Sequence, residues 1–287
     1  MLFINRSEKV YMKKNKHIIL IFVFLLFTFY GYCQINNTNQ KQINDHSDSL
    51  KIETNEYNII IKDVVSNEKY TKFKIRITNK TLDYLLFKGE ECVLVTETTT
   101  INTEEKPVFI EPFFTRSKVI LFKGIEGLHF NKIRVDIKGL YRIPVEENIY
   151  NAPDFKLPPS LKDFKAGEFE CAYISTGQEI QSFWVKFSCK YNGQKIGYVN
   201  PANCVIKLPD GKEFAATNLK SKPEMMLPGK KLKFTVDFQI PASVTQVQFT
   251  NMNIVWKDVF SESAAIPLPN PKASFEIDPS GIGTNNE

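Results

Sequence analysis

Lys72–Leu94 reads KFKIRITNKTLDYLLFKGEECVL, and Trp184–Ile206 reads WVKFSCKYNGQKIGYVNPANCVI. Set 112 residues apart, the two stretches align over 23 positions without a gap. Phe73, Ile75 and Ile77 fall on Val185, Phe187 and Cys189, and Cys92-Val93 falls on Cys204-Val205. Few residues are identical. What is shared is an every-other-residue apolar pattern and the position of the turns. A slip of one residue would turn each side chain to the opposite face of a strand, so a kept register is informative. A repeat of this length is too long for a solenoid unit and suits two tandem domains.

Outward from this core, the alternation continues. Tyr57, Ile59 and Ile61 alternate with polar residues, as do Ile133, Val135 and Ile137, and Leu232, Phe234, Val236 and Phe238. Such segments read as antiparallel strands with one buried face. Turn signals separate them: Asn79-Lys80-Thr81, Lys88-Gly89-Glu90, Leu208-Pro209-Asp210-Gly211-Lys212 and Leu227-Pro228-Gly229-Lys230. No long amphipathic helical pattern follows the N-terminal segment. The expected fold is all-β, with two tandem β-sandwich domains at 56–147 and 166–278. Between them 148–165, with Pro153, Pro158 and Pro159, reads as a Pro-rich linker whose Tyr150, Phe155, Leu157 and Phe164 pack against one or both domains. Residues 279–287 read as a tail.

The N-terminus reads as an export signal. Lys13, Lys14 and Lys16 precede the apolar run Ile18–Phe27, and Gly31 and Cys33 fit a small-x-small cleavage rule before Gln34. A signal peptide over 1–33 is therefore expected, followed by a polar linker, 34–55. Membrane anchoring by an uncleaved segment, residues 18–32, is the alternative; the run is shorter than the roughly 20 residues of a spanning helix. Five of the 37 basic residues and one of the 32 acidic residues lie in 1–33, which leaves a mature chain with net charge +1. That balance argues against nucleic acid as a partner, and it leaves the uncleaved N-terminal segment as the sole membrane contact expected.

An alternating strand ending in N-x-T, seen as Ile77-Thr78-Asn79-Lys80-Thr81, and a later strand introduced by P-G-K, seen as Pro228-Gly229-Lys230, resemble the outline of bacterial extracytoplasmic immunoglobulin-like domains. The resemblance covers most of Tyr57–Ile277. It implies binding, spacing or adaptor modules and carries no catalytic residue with it.

Chemistry-bearing patterns are sparse. Beyond residue 33 only His46 and His129 remain, with no G-x-S-x-G elbow beside them. There is no C-x-x-C, H-E-x-x-H or EF-hand loop, and the doublets Glu90-Glu91 and Glu104-Glu105 read as solvated turn residues. No catalytic residue, metal ligand or cofactor is expected. Cys92, Cys171, Cys189 and Cys204 remain after the signal. Their repeat positions favour buried thiols, and Cys171 with Cys189, on neighbouring strands, is the one credible disulfide pair. Trp184 and Lys186 point outward if Val185 and Phe187 point inward, which makes them candidates for ligand or partner contact; cover by the linker or the other domain is the favoured reading of Trp184. Phe113-Phe114 and Met225-Met226, placed before equivalent strands, read as packing at the sandwich ends.

The expected function is a non-catalytic, exported binding, adaptor or structural module at the bacterial cell envelope, in the periplasm, on the cell surface or secreted. Its expected partner is an envelope or extracellular protein. The alternative is a carbohydrate-active protein, either a glycan-binding accessory or a hydrolase using loop carboxylates.

Overall fold

The computed structural model describes residues 41–44, 49–66, 69–96, 99–123, 132–145, 148–178, 182–217, 223–240 and 251–276. The signal, half of the polar spacer (34–40 and 45–48), His129 and the tail lie outside them. The end of the expected spacer is no linker: Leu50 and Ile52 are apolar at alternate positions and are buried in a core. Every regular element described is a strand, apart from two three-residue 3-10 turns. The protein is all-β, built from several small antiparallel sheets.

After a short β1 (Lys41–Asn44) come β2 (Leu50–Glu53), β3 (Tyr57–Ser66), β4 (Tyr70–Asn79), β5 (Tyr84–Phe87), β6 (Val93–Val95), β7 (Thr100–Asn102), β8 (Val108–Ile110), β9 (Thr115–Lys123), β10 (Lys132–Asp136) and β11 (Leu140–Ile143). The chain continues through β12 (Asn148–Tyr150), β13 (Phe155–Leu157), β14 (Asp163–Ala166), β15 (Phe169–Gln178), β16 (Ser182–Tyr191), β17 (Ile196–Val199), β18 (Cys204–Lys207) and β19 (Glu213–Ala215). It ends with β20 (Glu224–Met226), β21 (Lys231–Gln239), β22 (Met252–Trp256), β23 (Phe260–Ser263), β24 (Ile266–Pro267) and β25 (Lys272–Glu276).

The pairing scheme occurs twice. The order β2-β3-β4-β9 is matched by β14-β15-β16-β21, β25-β10-β6-β7 by β13-β22-β18-β19, and β24-β11-β5-β8 by β12-β23-β17-β20. Loop hydrogen bonds are doubled as well. Asn79 N–H donates to Phe114 O at 2.9 Å and Tyr191 N–H to Lys230 O at 3.0 Å; Lys88 N–H donates to Gly139 O and Asn200 N–H to Val259 O, both at 2.8 Å. Two hydrophobic cores result. One gathers Ile59, Ile75, Leu85, Leu94, Ile120 and Val135 among others; the second gathers Phe155, Phe164, Phe187, Val236, Trp256 and Phe260. These cores define a first and a second half. A small third cluster, Leu86, Ile143 and Ile196, with Tyr84, Phe109 and Met225 packed against it, joins the outer faces of β5, β8 and β11 to those of β17 and β20.

The stretch 148–165, expected as a linker, is instead woven into three sheets as β12, β13 and β14. Its apolar residues explain why. Phe155 and Leu157 point into the second core, and Lys156 between them points out. β25, expected to end the second half, pairs with β10 in the first, with Val135 opposite Ala273. β24 likewise pairs with β11. The first half is therefore discontinuous: 50–143 is completed by 266–276, and 148–263 is inserted between. In the second half Phe155 stands opposite Ile254, the place that Ala273 takes opposite Val135. Pro153 and Pro271 mark the same bend. Trp256 Nε1 donates to Pro153 O at 2.9 Å, and Ile137 N–H donates to Pro271 O at 2.9 Å.

Candidate functional site

One end of the first half presents an apolar tip. In Glu111-Pro112-Phe113-Phe114 the proline fixes the first turn residue, and Phe114 N–H donates to Glu111 O at 3.1 Å. The next position must take a positive φ. In the second half the equivalent turn, Leu227-Pro228-Gly229-Lys230, places Gly229 there at φ 72°. In the first half Phe113 adopts φ 60°. A side chain in that region costs about 1–2 kcal/mol, so Phe113 is held in a conformation that glycine would accept freely. Phe113 and Phe114 are 63% and 62% exposed. The expectation that this pair packs at the sandwich end does not hold, because the turn directs both rings outward. The methionines differ: Met226 is buried in the second core, and Met225 packs on the third cluster.

Asn79 couples this turn to its neighbour. Its Nδ2 donates to Asp83 O at 2.7 Å, Glu111 O at 3.1 Å and Ile110 O at 3.2 Å, and its Oδ1 accepts from Thr81 N–H and Oγ1 at 2.9 Å. With its amide enclosed, Asn79 of the N-x-T triplet is structural and offers no acceptor for glycosylation. The turn that Asn79 ties to Glu111 carries Leu82, 79% exposed. Cations at the rim are paired: Lys80 with Glu53 at 3.1 Å and Arg116 with Glu111. The corresponding turns of the second half, Asn192-Gly193-Gln194 and Pro228-Gly229-Lys230, display no large apolar side chain.

Trp184 and Lys186 lie on the outward face of β16, both half-buried. Trp184 stands opposite Gly177 on β15, and a Cβ at Gly177 would run into the indole ring. The glycine thus makes the bed on which Trp184 lies flat. On its other side Trp184 faces Asp237, which is buried; one carboxylate oxygen accepts from Thr217 Oγ1 at 3.0 Å, and Oδ1 has no partner among the described residues. Further along this face, Asp163, Lys165, Glu170, Ser188, Lys190 and Lys231 line a shallow groove, with Lys165 and Glu170 paired at 2.8 Å.

Cys171 and Cys189, directly opposed on β15 and β16, are joined by a disulfide. Cys92 and Cys204 are free and buried, each closing a 3-10 turn by donating its N–H to Gly89 O and Pro201 O. Burial pushes the Cys92 thiol up to about 12 and raises that of Cys204 well above the usual range, so both stay protonated and unreactive at neutral pH.

Where β11 and β23 meet their neighbours, the halves carry opposite charges in equivalent places. Arg142 pairs with Glu56 at 3.1 Å and Asp83 at 3.7 Å, whereas Glu262 pairs with Lys195 at 3.7 Å and accepts from Tyr191 Oη at 2.8 Å. Burial, then the bond to Glu262, pushes Tyr150 up to about 12 and raises Tyr191. Both phenols are donors to one buried carboxylate, which satisfies it and gives it a structural role. Of the acidic doublets, Glu91 accepts from Tyr141 Oη at 2.6 Å and Glu105 pairs with Lys118 at 3.4 Å. Among the described residues no group of His, Cys, Asp and Glu has the placement to hold a metal ion, and no helix is long and apolar enough to cross a membrane.

No protein-family model matches the chain, and no curated protein matches it. Among solved structures, a secreted serine protease, VesC, from Vibrio cholerae aligns with 69% of this chain and 48% of its own at 8% identity, with a TM-score of 0.18. The chain thus spans about half of that protein. A likeness this distant carries no argument.

Proposed function

We propose that this protein is an exported, non-catalytic adaptor at the cell envelope, built from two immunoglobulin-like sandwiches, and that the tip formed by Leu82, Phe113 and Phe114 is where it grips a protein partner. The observation that carries the reading is Phe113: a large aromatic in a glycine-favouring conformation, solvent-exposed, where the other half uses Gly229 and Lys230. Strain retained at a surface position with no packing gain points to use by something outside the fold. Exposed aromatics beside paired charges fit the centre and rim of a protein contact. The Cys171–Cys189 disulfide accords with an extracytoplasmic address.

The test is capture from envelope fractions with the mature chain and with the double variant Phe113→Gly, Phe114→Lys, which copies the second half. We expect one partner whose recovery falls at least about thirtyfold in the variant, the scale of an interface hot spot. Equal recovery by both chains would refute the tip. N-terminal sequencing of the native protein belongs with this test, since a terminus at Gln34 agrees with export and a retained 18–32 segment in membranes opposes it.

A glycan-binding reading is favoured by one feature, the pairing of Trp184 with the half-satisfied Asp237. Binding on a glycan array that disappears in Trp184→Ala would replace the adaptor reading, and weaker binding by Lys186→Ala would include Lys186 in the same site.

A further inference from the structure

The two halves close themselves with unequal latches. The second half is closed by β12 and β13, whose Tyr150, Phe155 and Leu157 pack in its core, with Phe155 against the rings of Phe164, Tyr173 and Phe187 at 5.2–5.9 Å. The first half is closed by β24 and β25, where Leu268 and Ala273 enter the core. The latch residue opposite Val135 is a single methyl group, whereas the one opposite Ile254 is a phenyl ring. The first-half seam thus rests on backbone pairing, seven ladder pairs against six in the second half, and less on the described side chains that enter its core.

The connectivity sets what happens when that seam opens. Only Ala264 and Ala265 separate β23 from β24, so the latch 266–276 always stays with the second half. On the other side, five residue steps from Ile143 to Asn148 join the body 50–143 to the second half and span at most about 17 Å. Opening therefore releases the body of the first half, while the second half keeps both its core and the projecting latch. What the latch and second half offer is an open strand edge plus their share of the third cluster, Ile196, Met225, Leu227 and Ala265. What the released body offers is the matching edge of β10 and β11. A body from any copy of this chain satisfies both equally.

We propose that the seam is also an interface between two copies, in which the 50–143 body of each chain docks on the 266–276 latch and second half of the other. The closed monomer and the exchanged dimer contain the same strand pairs and differ only in the path between Ile143 and Asn148. Concentration therefore sets the balance. A tether this short gives an effective concentration on the order of mM, so the dimer is minor at micromolar protein and prominent after refolding near that concentration.

Arg134 and Ser274 are directly opposed on β10 and β25 and outward-facing. In the full-length variant Arg134→Cys, Ser274→Cys, oxidation links residues within one chain in the closed form and between two chains in the exchanged form. We expect refolding at increasing concentration to yield a dimer by light scattering that runs as a covalent dimer on a non-reducing gel, its share rising about tenfold for each tenfold in concentration while minor. Deleting Val145 and Glu146 shortens the tether and should make the dimer the main species. A monomer at every concentration overturns the proposal, as does a dimer whose cysteines are all linked internally. If the shortened chain does not fold, the unshortened cysteine variant decides alone.

Discussion

Phe155, Phe164, Phe187, Trp256 and Phe260 pack ring against ring in the second half, while the first half fills its core largely with Ile59, Ile61, Ile75 and Ile77 beside Phe73 and Phe122, which pack together. The disulfided pair Cys171–Cys189 has Ile59 opposite Ile77 as its counterpart. On the last long strand the inward positions of Leu232 and Phe234 are taken by Arg116 and Lys118, and Lys118 reaches Glu105 and the carbonyl of Lys106. The same wiring thus accepts an aromatic, cross-linked filling or an aliphatic one bordered by paired charges at a sheet edge. Strand pairing is set by backbone and turn geometry. The filling sets stability, and stability decides which half can spare a seam or a strained turn.

Both tryptophans, Trp184 and Trp256, lie in the second half, so their fluorescence reports on that half while far-ultraviolet dichroism reports on both. Ending the chain at Ala265 should produce the largest effect: the first half loses β24 and β25 and with them its cooperative transition, while the tryptophan transition persists. A tryptophan midpoint that collapses in parallel would mean that the halves are one cooperative unit. Next, Phe155→Ala should lower the stability read by tryptophan by about 3–5 kcal/mol, whereas Ala273→Gly in the equivalent place should cost about 1 kcal/mol. Equal costs would contradict the unequal latches. Replacing both bridged cysteines by isoleucine, as in the first half, should cost about 2–4 kcal/mol through the loop of sequence separation 18 that the bridge closes; an unchanged urea midpoint would show that apolar packing at that pair suffices. The smallest effect is a gain. Phe113→Gly should raise first-half stability by about 1 kcal/mol, measured by denaturant titration of the dichroism signal, and a loss would mean that the ring contributes contacts within the fold.

Much of the strand framework was legible. Phe73, Ile75 and Ile77, and Val185, Phe187 and Cys189, are buried at every second residue as their alternation required. The turns at Gly211 and Gly229 have the positive φ their composition called for. The destinations of 148–157 and 266–276 were hidden, because strand pairing is non-local and proline-rich composition resembles a tether until its partner is known. YNAPDFKL (150–157) and LPNPKASF (268–275) do correspond, with Pro153 over Pro271. Their spacing differs from that of the main repeat, which conceals the match. At the candidate site, a Phe-Phe pair ahead of a strand looks like packing. Only comparison with Pro228-Gly229-Lys230 turn by turn would have flagged Phe113 as standing where glycine belongs. Alternation along β16 places Trp184 opposite in face to Val185, but the role of Gly177 beneath it depends on a cross-strand register that one sequence does not reveal.

Because β2 and β25 both belong to the first half, tension applied between the two flanks of the folded region acts first on one half alone. The inserted 148–263 stays slack while β24 and β25 hold to β11 and β10. Once that latch peels away, the second half comes under load, and the Cys171–Cys189 bridge then withholds the chain between its two sulfurs from extension. Stretched, such a protein would yield in two steps, a short early give in the aliphatic half and a later, truncated one in the aromatic half.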